Sequence, residues 1–107
     1  MRSVKIVKWS ATAGVEVSEA ALRSSLADEG LGAIRWSNGP GDTYAAHSHD
    51  YHKIIYVVEG SITFDLPTSH EEVLLRPGDR LELPRGTTHS ARVGPDGVVC
   101  LEAHQHS

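Results

Sequence analysis

Turn chemistry recurs along this chain, and the segments it separates have the composition and period of strands rather than helices. Asn38-Gly39-Pro40-Gly41, Glu59-Gly60, Pro77-Gly78-Asp79 and Gly94-Pro95-Asp96-Gly97 punctuate everything after residue 33. Each supplies residues that tolerate positive φ or preset a bend. The intervening segments are short and strand-like: Ala33 to Ser37, Thr43 to His49, Lys53 to Glu59, Ser61 to Leu66, Glu72 to Arg76, Arg80 to Leu83, Ser90 to Val93 and Val98 to Ala103. Ile62, Phe64 and Leu66 alternate with Thr63 and Asp65, the period of a half-buried strand. With a further strand over Val4 to Lys8, the pattern predicts an all-β sandwich or barrel. A sheet in so small a chain must either close on itself or lend a strand to a partner to protect its edges.

One segment has the other period. Ser18 to Glu29 reads as a helix: Ser18 is a natural cap, Glu19 suits the positive end, and Leu22 and Leu26 share a face. Gly30 followed by Leu31 is the signature of a Schellman stop, with Leu31 folding back on Leu26. The apolar stripe is narrow and the rest is Glu, Arg, Asp and Ser, so this helix is expected on the outside of the sheet. Trp9 and Trp36 are expected beneath it.

The 107 residues make one domain's worth of core, read as a single domain over 1–107. Residues 1–40 are its N-terminal strand, helix and lead-in strand, 41–103 its barrel, and 104–107 a short tail. A net charge of -4 and dispersed Lys and Arg argue against a nucleic-acid partner. The longest apolar run, Ile54 to Val58, is far too short to span a membrane. Met1 to Ser10 lacks a signal-peptide pattern, so the cytoplasm is the default expectation. Cys100 is the single cysteine, which excludes an internal disulfide; among Val98, Val99 and Leu101 it reads as a small buried hydrophobe.

The compositional oddity is seven histidines. His47 and His49 are two apart, and on a strand side chains at i and i+2 share a face, so both imidazoles can converge on one ion. A third can come from Gly78 to His89, where Pro84-Arg85-Gly86 bends the chain and starts a new strand at His89. Three neutral imidazoles with open positions suit Zn, Fe, Ni, Mn or Cu. His52 falls on the opposite face and reads as a solvent-facing residue. His70 belongs to a hairpin loop beside Glu71 and Glu72, and His104 and His106 to a frayed tail.

At these spacings the sequence resembles the cupins, whose first motif is G-x5-H-x-H-x3/4-E-x6-G and whose second is G-x5-P-x-G-x2-H-x3-N. Gly41, His47, His49 and Gly60 match the first, and Gly78, Pro84, Gly86 and His89 the second. The resemblance spans residues 41 to 93, about half of the chain. It implies a double-stranded β-helix (jelly-roll) barrel, often dimeric, with a metal held by the motif histidines and a glutamate. A homodimer would follow if the Val4–Lys8 strand added to a neighbour's sheet.

Two positions depart from the pattern: Lys53 stands at the glutamate and Val93 at the asparagine. A protonated lysine donates and cannot ligate. Either the site is a three-histidine one with Lys53 turned aside, or Glu102, Cys100 or His52 fills the fourth place, or Lys53 receives an anion in a pocket without metal. Lys53 can also be a structural cation paired with Asp50, Glu102 or Asp65. The pocket is expected to include Lys53, Tyr51, Phe64 and Glu102, with Ile62 beside Phe64.

Three functions are compatible with this. One is a metal- and small-molecule-binding protein, extending to a minimal metalloenzyme. Another is a non-catalytic ligand-binding or sensing barrel with Lys53 as the anion partner. The third is a structural barrel whose metal site has decayed. The residues assign no catalytic group, because this fold class hosts many chemistries.

Overall fold

The computed structural model describes residues 3–9 and 16–106. Its elements run β1 (Lys5–Val7), α1 (Glu19–Asp28), β2 (Ile34–Asn38), β3 (Thr43–His47), β4 (His52–Leu66), β5 (Glu71–Leu75), β6 (Arg80–Leu83) and β7 (His89–Gln105). The seven strands pair antiparallel as one sheet, in the order β1-β6-β4-β7-β2, with β5 also on β4 and β3 also on β7. The chain has the all-β, jelly-roll architecture expected of it, with the helix on the outside.

The two long strands organise everything. The expected pairs of strands, Lys53 to Glu59 with Ser61 to Leu66 and Ser90 to Val93 with Val98 to Ala103, are each one strand. Neither Glu59-Gly60 nor Gly94-Pro95-Asp96-Gly97 is a hairpin. Both are irregularities within the β4–β7 ladder, where the register slips between Val57 and Glu59 and between Gly60 and Ile62. The slip changes which residues face inward. Along β4 the barrel core takes Ile55 and Val57, then Ile62, Phe64 and Leu66; along β7 it takes Ala91 and Val93, then Val98 and Cys100. Odd residues give way to even ones across each irregularity, so both halves of a bent strand line the same core. Gly60 makes the bend close: it has φ +76°, and a Cβ there would lie 2.0 Å from the Gly97 carbonyl oxygen. Only glycine fits both the angle and the space.

The N-terminal half of β4 pairs with β6 and its C-terminal half with β5. The N-terminal half of β7 carries β3 and its C-terminal half carries β2. Between these two halves lies the apolar interior. A second apolar cluster, on the outer face, joins Ile54, Tyr56, Leu101 and Ala103 to Leu22 and Leu26 of α1. The helix is held as its sequence implies: the Ser18 hydroxyl accepts from the Ala21 N–H at 3.1 Å. Gly30 N–H reaches the Ala27 carbonyl and Leu31 N–H the Leu26 carbonyl, each at 2.9 Å, a Schellman motif.

β1 pairs with β6 of its own chain, Ile6 opposite Leu81, and stands at the end of the strand order. Several expectations need correcting. Trp9 does pack on the outer cluster beneath the helix, but Trp36 packs against the barrel core. The segment from His104 is not a frayed tail: β7 continues through Gln105, and Ser107 lies outside the described residues. His52 is buried, 5 % exposed, where it meets Glu82 at 3.0 Å. A free solvent position is therefore wrong for it, although its placement opposite the site face is right.

Candidate metal centre and ligand cavity

The end of β3 and the start of β7 pair with His47 directly opposite His89. His49 joins them from just beyond β3. Strand β3 ends at His47 and carries a bulge between Tyr44 and His47, so regular alternation does not bring the first two histidines together. The loop beyond does, pinned by the Gly86 N–H donating to the His49 carbonyl at 2.8 Å. The bend of Pro84 to Gly86 thus both starts the return to β7 and fixes the second histidine. Ring centroids lie 4.4 Å apart for His47–His89, 4.8 Å for His47–His49 and 5.4 Å for His49–His89. One nitrogen from each ring lies within 4.8 Å of the others.

Hydrogen bonds orient the rings. His47 Nδ1 lies 2.6 Å from the Ala45 carbonyl oxygen and His89 Nδ1 lies 2.9 Å from that of Thr87. A carbonyl only accepts, so both Nδ1 atoms carry the proton and both Nε2 atoms present a lone pair. His49 Nδ1 is 3.1 Å from the Tyr51 hydroxyl. The Nε2 atoms of His49 and His89 are buried and have no hydrogen-bond partner. Burial pushes the His89 imidazole down to about 4, with the neighbouring His47, Lys53 and His49 acting in the same direction. Burial also lowers His49, assisted by the Lys53 charge. Burial therefore favours the neutral form of His49 and His89, the state in which imidazole ligates.

Beside the histidines opens a cavity of about 220 Å³, walled by Trp36, Tyr44, Ile62, Phe64 and Ala91 and reached by His47, His89, Lys53 and Glu102. Trp36 and Tyr44 meet edge to face at 6.0 Å, and the Tyr44 hydroxyl donates to the Asn38 side-chain oxygen. Lys53 resolves onto Glu102 at 3.2 Å rather than onto Asp50 or Asp65. Glu102 also accepts from Trp36 Nε1 at 3.1 Å and from His104 Nε2 at 2.6 Å. Burial alone would raise the Glu102 carboxyl, but His104 and Lys53 outweigh it and hold it below its ordinary value.

Of the expected pocket residues, Lys53, Phe64 and Glu102 line the cavity. Tyr51 does not. It stacks on His49 at 5.0 Å and on His104 at 4.1 Å, behind the histidine cluster. Among the described residues the close-set ligand group contains the three histidines and no fourth member. Cys100 is sealed in the barrel core, where burial raises its thiol to about 12. His52 is on the outer face with Glu82. Trp36, Tyr44 and His104 were missed as site residues. Val98, Cys100, Glu102 and His104 keep one alternation, and that pattern carries the inward face of β7 through His104.

The structure is a bent antiparallel β-barrel with three clustered imidazoles and a cavity beside them. The chain belongs to the cupin family: residues 35–103 match the Cupin domain. Members of this family commonly bind transition metals. The chain is similar to quercetin 2,3-dioxygenase of Bacillus subtilis, with 42 % identity over 59 residues, covering 53 % of this chain and 17 % of that protein. It therefore spans under a fifth of that relative's length. Among solved structures it is similar to KdgF from Halomonas sp., with a TM-score of 0.59 and 29 % identity over 72 % of this chain and 71 % of that one. It is also similar to the polyketide cyclase RemF from Streptomyces resistomycificus, with a TM-score of 0.64 and 26 % identity over 72 % of this chain and 55 % of that one. Among the described residues no helix is long and apolar enough to cross a membrane.

Proposed function

We propose that this cupin holds a divalent transition metal on His47, His49 and His89 and binds, and acts on, a small molecule in the adjoining cavity. The observation that carries the reading is the pair of buried Nε2 atoms on His49 and His89 without a hydrogen-bond partner. An unsatisfied buried polar atom costs about 1–3 kcal/mol, and two beside each other are most simply explained by a shared ion. The tautomer locks at Ala45 and Thr87 support it, since they aim lone pairs rather than protons at the common point. Similarity to a dioxygenase and a cyclase supports small-molecule chemistry in general terms.

When bound, such an ion would act as a Lewis acid toward a ligand oxygen. The chain's own residues do the rest. Phe64 and Ile62 exclude water from one wall of the cavity, Trp36 and Tyr44 form another, and Lys53 with Glu102 supplies its charged end. The cavity is smaller than the roughly 300–1,000 Å³ of drug-sized sites, which favours a substrate of few heavy atoms.

Thermal unfolding with and without a chelator tests the reading. Metal at a hundredfold excess over its dissociation constant adds about 2.7 kcal/mol. For a domain of this size that raises Tm by roughly 10 °C or more. A Tm insensitive to chelator and to added Zn²⁺, Co²⁺, Ni²⁺, Mn²⁺, Fe²⁺ and Cu²⁺ would overturn it.

A further inference from the structure

We infer that the cavity takes a small organic carboxylate, whose anionic end is received by Lys53 in exchange for Glu102. This deepens the reading of the cavity as a small-molecule site and rests on that part of it, but it does not require the metal.

The inference comes from an imbalance within the buried ion pair. Lys53 and Glu102 are 12 % and 14 % exposed, and both line the cavity. An ammonium has three N–H donors. Among the described residues the polar partner of Lys53 is Glu102, at 3.2 Å. Its remaining donors therefore have only the cavity to serve, and a buried ammonium with one acceptor is poorly compensated. Glu102 is in the opposite condition. Its Oε1 accepts from Trp36 and its Oε2 from His104, so each oxygen keeps a donor if Lys53 turns away. Lys53 sits on a flexible four-carbon stem, whereas Glu102 is tied from two sides. The movable partner is the cation, and the group it would turn toward is an incoming anion.

The cavity defines the rest of the ligand. A space of about 150 Å³ accommodates a benzene ring, so about 220 Å³ holds one ring or a short chain with a carboxylate. Phe64, Ile62 and Trp36 offer apolar and planar surface to that body. Inorganic phosphate would leave those walls unused. A cationic ligand would face the ammonium while Glu102 is already provided for.

Isothermal titration of the full chain with benzoate and pyruvate, each against its carboxamide, tests this in chelator and again with Co²⁺ loaded. At least one carboxylate should bind tenfold or more tightly than its amide, in both conditions. Lys53→Met should erase that difference. Glu102→Gln should move it the other way, tightening the carboxylate several-fold, because it removes the internal competitor while leaving an acceptor for Trp36. If Lys53→Met does not fold, the sign of the Glu102→Gln effect decides. Carboxylates bound no better than amides, or weakened by Glu102→Gln, overturn the proposal even if Co²⁺ is taken up. Carboxylate selectivity in a protein that never retains metal would sustain it while the metal reading fails.

Discussion

Replacing Lys53 by the acid that the cupin pattern places there separates the two designs this cavity can hold. In Lys53→Glu the nearly buried pair at 3.2 Å is lost and a second carboxylate faces Glu102. Removing one partner of a buried pair costs about 3–5 kcal/mol. Part is recovered because one of two adjacent carboxyls can take up a proton, and Glu102 keeps Trp36 and His104 as donors. The net expectation is a loss of about 3 kcal/mol for the metal-free variant at pH 7.5. With a urea m-value near 1.5 kcal/mol/M, the midpoint falls by roughly 2 M. Excess Zn²⁺ should then restore most of it, by more than it stabilises the wild type, because the introduced carboxylate both gains a cation and adds a fourth ligand. Urea titrations followed by tryptophan fluorescence, with chelator and with Zn²⁺, give both quantities. A chelated variant within about 0.5 kcal/mol of wild type would refute the energetic account of the pair. A Zn²⁺ effect no larger than that of the wild type would refute the placement of position 53 beside the ion.

Other consequences follow from the same geometry. His89 sits at about 4 in the fold against 6.5 when unperturbed, so the unfolded chain binds its proton first. The neutral ring favours the fold above pH 6.5, and that stability drains away as pH falls toward 4, by about 3 kcal/mol in full. Metal-free protein should show this slope in urea titrations between pH 7 and 4, and His89→Phe should flatten it; equal slopes would count against a neutral, buried His89. At the bend, Gly60→Ala should cost about 3 kcal/mol or more, since it adds a left-handed penalty to a Cβ 2.0 Å from the Gly97 oxygen. Gly30→Ala has a similar φ of +77° but nothing within 4 Å, and should cost only about 1 kcal/mol; similar losses at both positions would disprove the close-approach argument.

Much of this fold was legible because local signals agreed with it. Ser18, Gly30 and Leu31 place the ends of α1 within a residue, since capping chemistry is local. Ile62, Phe64 and Leu66 declare the inner face of β4 by alternation alone. The two misread turns share one cause, which is that a glycine can mark either a chain reversal or a kink in a continuing strand. Gly60 and Gly97 do the second. The clue was the change of inward parity, from Val57 to Ile62 and from Val93 to Val98, which a hairpin does not require. Trp36 and His52 were misplaced because whether a polar or aromatic residue meets the helix, the cavity or a buried Glu82 depends on pairing across strands distant in sequence. The three histidines could be named from spacing. Their convergence could not be explained from it, because His49 is set by the Gly86 contact rather than by strand periodicity.

The central proposal is that three imidazoles share one ion despite Lys53. Elemental analysis of purified, tag-free protein, wild type beside His47→Ala and His89→Ala, addresses it most directly. The account predicts close to one transition-metal ion per chain in the wild type and a loss of it in both variants. Metal-free wild type after reconstitution, or variants that retain the ion, would contradict it.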